Sequence, residues 1–291
     1  MRNKAAEIRA RLREDRPLVM PGVYDALSAR IAARAGFEIL FISGYGTSAT
    51  QLGEPDFGLL TQTEIVTAAT HVCGVVDCPV IVDADTGYGN AVNVIRTVRE
   101  LRRAGAAGIF LEDQMWPKRC GHMSGKRVIP AGEQVQKLRA AVHARAGGDC
   151  FIVARTDARQ AVGLDDAIAR ALAYHEAGAD ALFVEAPQSL DELREIGQRL
   201  PPPLVANMLE QGVTPELPSE ELAAMGFQMI VYPLSGLFAA ARAMQDVYGA
   251  LRREGHTRGV RDQLLAFEAL NAIVGLEEKF ALDAAFRADR E

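Results

Sequence analysis

Residues 108–129, GIFLEDQMWPKRCGHMSGKRVI, gather reactive side chains densely. The apolar run Ile109-Phe110-Leu111 ends in two carboxylates, Glu112 and Asp113. A polar stretch follows that carries Lys118, Arg119, Cys120 and His122. A thiol beside three cationic or potentially cationic groups is expected to have a lowered pKa. Gly121 and Gly125 give the loop backbone freedom to move. Taken alone, the stretch could also be a solvated connector with an incidental cysteine. The rest of the chain separates the two readings.

Other reactive groups stand where apolar runs end. In VIVDADTGYGN, Asp83 and Asp85 lie two residues apart, so both project to one side of an extended strand end. With Glu112 they make an all-oxygen cluster suited to Mg²⁺ or Mn²⁺ rather than zinc, with water completing the shell. Arg155, in ARTD, offers a planar fork that matches a carboxylate. Ser43 and Gly44, with the backbone N–H groups after them, could hold a second carboxylate, and Asn207 adds a neutral donor. Glu185 stands at another such end. A divalent cation among anion holders, in an acidic protein, predicts a small di- or tricarboxylate substrate.

Placing these groups together requires a particular scaffold. Four segments repeat a helix end, a glycine stop and an apolar run, with the glycines at Gly36, Gly105, Gly178 and Gly226. Between them lie PLVMPG, PVIVDADTG, CFIVARTD and PLVANM. Short, almost wholly apolar strands are expected in a parallel sheet buried on both faces. Eight strand–helix units predict an α/β fold, a (β/α)8 TIM barrel, whose strand C-termini face the active site. An open doubly wound sheet is the alternative, but no GxGxxG follows the first strand. The barrel is expected over residues 1–257, with an N-terminal surface helix and a mobile loop near 115–128. Ser235 to Glu254 reads as one long helix, and 258–291 as an extra helical extension. Surplus apolar helices predict packing on a neighbouring subunit, with helices exchanged between subunits in a homo-oligomer, a tetramer.

Composition narrows the partners. A hydrophobic fraction of 49% in 291 residues supports a large core. A formal net charge of -6 argues against nucleic acid or an anionic membrane as partner. Four cysteines without CxxC spacing fit a reducing compartment, and the expected location is cytoplasmic. Cys73, Cys78 and Cys150 border apolar runs and read as inert core thiols.

At these motifs the chain resembles the isocitrate lyase/phosphoenolpyruvate mutase superfamily, from about Pro21 to Thr257. The resemblance rests on SGYG at Ser43, PDFG at Pro55, DADTG, EDQ at Glu112, PKRCGH, ARTD, and NMLEQGVTP at Asn207. PKRCGH is the specific motif, because it is similar to the mobile catalytic loop of the lyase branch. Mutase and phosphonopyruvate hydrolase branches carry an Asn-containing loop there, and the oxaloacetate decarboxylase branch lacks the cysteine. Within the lyase branch the chain is most similar to the petal death protein and 2,3-dimethylmalate lyase group, then to methylisocitrate lyase. The latter reads SGGG where this chain has Ser43-Gly44-Tyr45-Gly46, so that Tyr45 would occupy room near the reacting centre.

The resemblance implies a metal-dependent oxo-acid lyase acting on 2-alkylmalates and related acids. The cation, at Asp85 with Asp83 and Glu112, would acidify the substrate C2 hydroxyl. Cleavage of C2–C3 would give a 2-oxo acid such as pyruvate and an enolate that Cys120 protonates after loop closure. Lys118 and His122 would face the enolate charge, Arg155 the adjoining carboxylate, and Glu185 would partner His122 or the thiol. Ser43, Gly44, Tyr45, Asp56, Gly121 and Asn207 would complete the substrate site. Tyr45, Asp56 and a metal-bound water all remain open as acceptors of the hydroxyl proton. Methylisocitrate cleavage, oxaloacetate hydrolysis or decarboxylation, and a silent carboxylate-binding barrel are the alternatives.

Overall fold

The structure, a computed structural model, describes residues 3–145 and 150–287. It divides into two units, Met1–Gly236 and Leu237–Glu291. In the first, the chain runs α1 (Lys4–Arg11), β1 (Leu18–Val23), α2 (Ala26–Arg34), β2 (Leu40–Ile42), α3 (Gly44–Gln51) and α4 (Gln62–Cys73). It continues with β3 (Val80–Asp83), α5 (Ala91–Arg103), β4 (Gly108–Glu112), α6 (Ala131–Ala144), β5 (Phe151–Thr156) and α7 (Ala158–Ala161). Then come α8 (Leu164–Glu176), β6 (Ala181–Val184), α9 (Leu190–Arg199), β7 (Leu204–Asn207), α10 (Ser219–Ala224) and β8 (Met229–Tyr232). The strands are parallel in chain order, and β8 pairs with β1 to close the sheet. All eight expected apolar runs supply strands, so the (β/α)8 barrel is confirmed.

Local signals explain the alternation. Gly36, Gly105, Gly178 and Gly226 all adopt positive φ, which reverses the chain after a helix and before a strand at little steric cost. Asp25, Thr61 and Asn90 start α2, α4 and α5 with reciprocal capping boxes. One apolar layer lies between sheet and helices. A second fills the barrel, with Met20, Phe41, Phe110, Phe183 and Val231 among its members. Phe110 stacks between Phe41, at 4.8 Å, and Phe183, at 5.6 Å between ring centroids. Each such ring stabilises the fold by about 1.5–3 kcal/mol through burial.

The N-terminal helix differs from expectation. Ala5 and Ile8 of α1 are buried in the barrel-interior cluster, so α1 closes the end where the strands begin rather than lying on the surface. Its polar side carries Arg9, which pairs with Asp180 at 2.9 Å. Residues 1–2 of that segment, like 288–291 of the expected extension, lie outside the described residues.

The second unit holds most of α11 (Ser235–Glu254), a 3-10 turn at Arg258–Gln263, α12 (Phe267–Val274) and α13 (Leu276–Phe286). The boundary expected at 258 therefore falls inside this unit, because α11 is one continuous helix that begins it. Phe267 is 74% exposed and Phe286 84% exposed, unusual for aromatic rings of a soluble surface. No helix among the described residues is long and apolar enough to cross a membrane.

Candidate active site

Strand register builds the site one step above the aromatic layer. Side chains two residues apart share a face, so Asp83, Glu112, Arg155, Glu185 and Asn207 stand inward above Ile81, Phe110, Val153, Phe183 and Val205. Glu112 and Arg155 are paired directly across β4 and β5. Arg155 lies over the Phe183 ring at 5.5 Å. Its Nε and Nη2 donate to Asp157 at 2.9 and 3.0 Å, and Nη2 also lies 3.3 Å from both Glu112 and Glu185. Burial works to raise the Glu185 pKa, but the Arg155 guanidinium and the His122 hydrogen bond outweigh it and hold it well below the usual range. Glu112 goes the other way. Its burial is only partly offset by Arg155 and Lys118, and its pKa is well above normal.

The acidic end is formed by Asp83, Asp85 and Asp56. Asp85 has φ +47°, a left-handed conformation that aspartate tolerates better than most residues. This turn directs its carboxylate to the Tyr88 hydroxyl, at 3.2 Å, and the Lys118 ammonium, at 2.6 Å. Lys118 also reaches Asp56 at 2.5 Å. Burial pushes the Asp85 pKa up to about 7, with Lys118 opposing and Asp83 and Asp56 adding. The four surrounding carboxylates outweigh burial at Lys118 and keep its pKa well above that of a free lysine.

A divalent cation can be tested against this donor set. Both Glu112 oxygens are buried without a directed hydrogen bond, and the buried Asp85 carboxylate is met by the Lys118 ammonium and the Tyr88 hydroxyl, so oxygen donors with lone pairs to spare stand in a low-dielectric setting. That is the chemistry of a hard cation site. Yet no three His, Cys, Asp or Glu side chains among the described residues converge into a ready-made cage. The residues fit an ion that keeps part of its water shell, as Mg²⁺ does. In this conformation Lys118 supplies the positive charge at Asp85.

The 115–128 loop folds down over the cavity and is tied at several points. Gln114 receives the Arg119 N–H at 3.0 Å and donates to the Arg119 carbonyl at 2.8 Å. Cys120 N–H donates to the Asp56 carbonyl at 3.1 Å. Lys126 is buried, donating to the Gly121 carbonyl and to Asp157. His122 Nδ1 accepts from the Val213 N–H at 3.1 Å, which leaves Nε2 to carry the ring proton toward Glu185, at 3.4 Å, while Asn207 Nδ2 donates to the same carboxylate at 3.3 Å.

This folding corrects the expected thiol chemistry. Burial pushes the Cys120 pKa up to about 11, despite a hydrogen bond from the His122 backbone. The neighbouring cations do not serve the sulfur, because Lys118 is bound to Asp56 and Asp85. Arg119 turns away over the Phe57 ring, at 5.0 Å. Cys120 is therefore a protonated thiol at neutral pH, not an activated thiolate.

The cavity left beneath the loop is small, about 40 Å³. Ser43, Tyr45, Asp56, Asp83, Cys120, Gly121, His122, Arg155, Glu185 and Asn207 line it. Gly44, Asp85, Glu112 and Lys118 lie outside its wall. The expected anion nest at Ser43 is also partly taken: Ser43 Oγ accepts from Gly46 N–H as the cap of α3, and Gly44 N–H points at Asp83 at 3.4 Å. A Cβ at position 44 would stand 2.8 Å from Asp83 Oδ2, so glycine lets that carboxylate approach. Tyr45 has a raised pKa, first from burial and then from Cys120 and Asp56, so its hydroxyl holds its proton more tightly. Sequence reasoning gave no role to Tyr88, Gln114 or Lys126. Only a polar residue beside the loop motif marked the last two.

The comparisons with known proteins agree with this fold. A family model described as phosphoenolpyruvate phosphomutase matches residues 8–252. The chain is 51% identical to the chloroplastic carboxyvinyl-carboxyphosphonate phosphorylmutase of Arabidopsis thaliana, over 98% of this chain and 86% of the relative. It is 46% identical to the 2,3-dimethylmalate lyase of Eubacterium barkeri, over 95% and 96% of the two chains. A crystal structure of 2,3-dimethylmalate lyase superposes with a TM-score of 0.93 at 38% identity, over 99% of this chain and 97% of that one. That structure is described as a member of the PEP mutase/isocitrate lyase superfamily. With its barrel and most of its length matched, the chain belongs to the phosphoenolpyruvate phosphomutase family within that superfamily.

Proposed function

We propose that this protein is a carbon–carbon lyase that cleaves C2–C3 of a 2-hydroxy di- or tricarboxylic acid of the 2-alkylmalate type. The products are a 2-oxo acid such as pyruvate and a second carboxylate. The observation that carries the reading is Cys120, a thiol on the cavity wall that burial keeps protonated. The relatives' names span a mutase and a lyase, so the family alone does not choose the reaction. Phosphoryl transfer is served by positioning and charge, whereas a carbanion or enolate left by C–C cleavage needs a proton. Cys120 is an acid of the right kind, and it must hold its proton until the enolate forms.

Arg155 and Asn207 hold the substrate carboxylates, and Gly121 lets the loop settle against Arg155 and Glu185. Glu185 fixes the His122 ring, whose Nε2–H faces the same space. The ties at Gln114, Cys120 N–H and Lys126 exclude water while the proton is delivered. Leu209, Val231, Pro233 and Leu234 line one side of the cavity and suit an alkyl substituent. Asp85 and Asp83, with Glu112 through water, would hold Mg²⁺ or Mn²⁺, which supplies Lewis-acid charge to acidify the C2 hydroxyl. The exposed apolar C-terminal unit supports packing on a second copy in a homo-oligomer, a tetramer.

The test is release of 2-oxo acid by purified protein from a panel of 2-alkylmalates, methylisocitrate and oxaloacetate with Mg²⁺. The expected result is turnover of an alkylmalate above the others. Turnover of a phosphonate with no 2-oxo acid from any hydroxy acid would overturn the lyase reading.

A further inference from the structure

One tie between the loop and the barrel, at Lys126, also touches the partner of Arg155. The Lys126 side chain is fully buried, and its ammonium donates to the Gly121 carbonyl and, at 2.8 Å, to Asp157 Oδ1. A buried ammonium is costly unless such partners offset its lost hydration. Asp157 is also the two-point partner of Arg155. Its own N–H donates to Asp113 Oδ1 at 2.9 Å, and Asp113 accepts from Thr156 and Tyr174, each at 2.8 Å. Asp157 is thus fixed from behind and shared in front by two cations. One belongs to the strand end, the other to the loop.

Gly121 connects this pair to the reacting region. It lies between Cys120 and His122, and a Cβ there would overlap Glu185 Oε2 and stand 2.7 Å from Arg155 Nη2. The carbonyl that Lys126 holds therefore belongs to the residue that packs on Arg155 and Glu185.

We propose that Lys126 is a positioning residue, a latch that couples loop closure to the charge balance around Arg155. With the loop down, Asp157 divides its charge between Lys126 and Arg155, and Arg155 is left more attractive to a substrate carboxylate. With the loop up, Lys126 leaves and Asp157 binds Arg155 alone. The coupling is reciprocal. A carboxylate on Arg155 weakens the hold of Arg155 on Asp157 and so favours docking of Lys126. The idea takes from the lyase reading only that the loop carries Cys120, and its test needs no turnover.

The experiment is hydrogen–deuterium exchange on the full chain, native and Lys126→Met, with and without malonate as an unreactive dicarboxylate. Lys126→Met is expected to speed exchange of amides 118–125 by about 10- to 100-fold, the shift in population that loss of a charge-assisted hydrogen bond permits. Amides of β4 and β5 are expected to keep their protection. Lys126→Arg should restore most of the loop protection, and malonate should protect the native loop more than the Met variant. Lys126→Gln, which is shorter and lacks the charge, carries the same test should the Met variant not fold. Loop exchange within twofold of native would overturn the latch, as would loss of strand protection together with the loop. A chain that unlatches as expected but releases no 2-oxo acid would keep the latch and sink the lyase reading.

Discussion

Glu112 and Arg155 face each other directly across β4 and β5, with Arg155 Nη2 3.3 Å from Glu112 Oε2. The contact lacks a directed hydrogen bond, and Glu112 stays a buried acid of raised pKa beside a guanidinium committed to Asp157. The ionic layer is therefore short of positive charge at its acidic end and ready to take a cation or a substrate. Five expectations follow from how that layer is arranged.

Cys120→Ser keeps the shape of the loop but replaces a thiol by a far weaker acid. Turnover should fall by about 10²–10⁴-fold with little change in KM, because the group acts only on the way to the transition state. Steady-state rates of 2-oxo acid release decide this. A serine variant within a few-fold of the native rate would mean that another group delivers the proton.

The same thiol sets an alkaline limit. Its pKa is raised in the folded chain from 9.0 to about 11, since burial disfavours the thiolate. The stability it contributes is complete below about 9 and is lost as pH rises toward about 11, because only the unfolded chain ionises in that window. Thiolate absorbance followed against pH, native minus Cys120→Ser, should show a midpoint near 11. A midpoint below 9 would restore the activated thiolate suggested by the flanking cations.

Gly121→Ala should act as a wedge. A methyl group at this position would overlap Glu185, so the loop can no longer seat. A displacement on the order of 1 Å from the reacting centre costs about 10²-fold in rate. Thermal denaturation should be nearly unchanged, since the barrel core is untouched. A normal rate would show that the loop seats elsewhere during turnover.

Lys118→Met removes the cation that Asp56 and Asp85 share. Leaving buried carboxylates uncompensated should cost about 3–5 kcal/mol. Because a divalent cation can supply the missing charge, added Mg²⁺ should recover part of the lost Tm in this variant and raise that of the native chain less. Chelation should abolish native turnover, and Mg²⁺ or Mn²⁺ should restore it. Full activity after exhaustive chelation would remove the metal from the scheme.

Truncation after Thr257 deletes α12 and α13 with their exposed rings, among them Phe267 and Phe286. If these cover a second copy, sedimentation should show a smaller assembly than the intact chain at the same concentration. An intact protein that is already monomeric at micromolar concentration would end the oligomer proposal.

The barrel was legible in the chain because its signals are local and periodic. Gly36, Gly105, Gly178 and Gly226 each mark a helix end, and an uninterrupted apolar run marks a strand buried on both faces. Once eight such units close into a barrel, Asp83, Glu112, Arg155, Glu185 and Asn207 must share one end, since each follows its own strand.

Tertiary structure alone decided how the charges pair. Lys118 and Lys126 lie eight residues apart on one polar loop, and nothing in their spacing says that one turns to Asp56 and Asp85 and the other to Asp157. The Cys120 pKa moved opposite to its sequence neighbours for the same reason. Ionisation depends on the groups brought near in space and on the water removed, and here burial and distant carboxylates outweigh adjacent lysine and arginine. The α1 helix shows the apolar counterpart. Ala5 and Ile8 are too few to announce a core helix, yet they are buried because the open end of the barrel needs a lid. Periodicity determines where an element forms and which way it faces, whereas charge partners, proton affinities and the closing of an end are set by what the completed fold brings together.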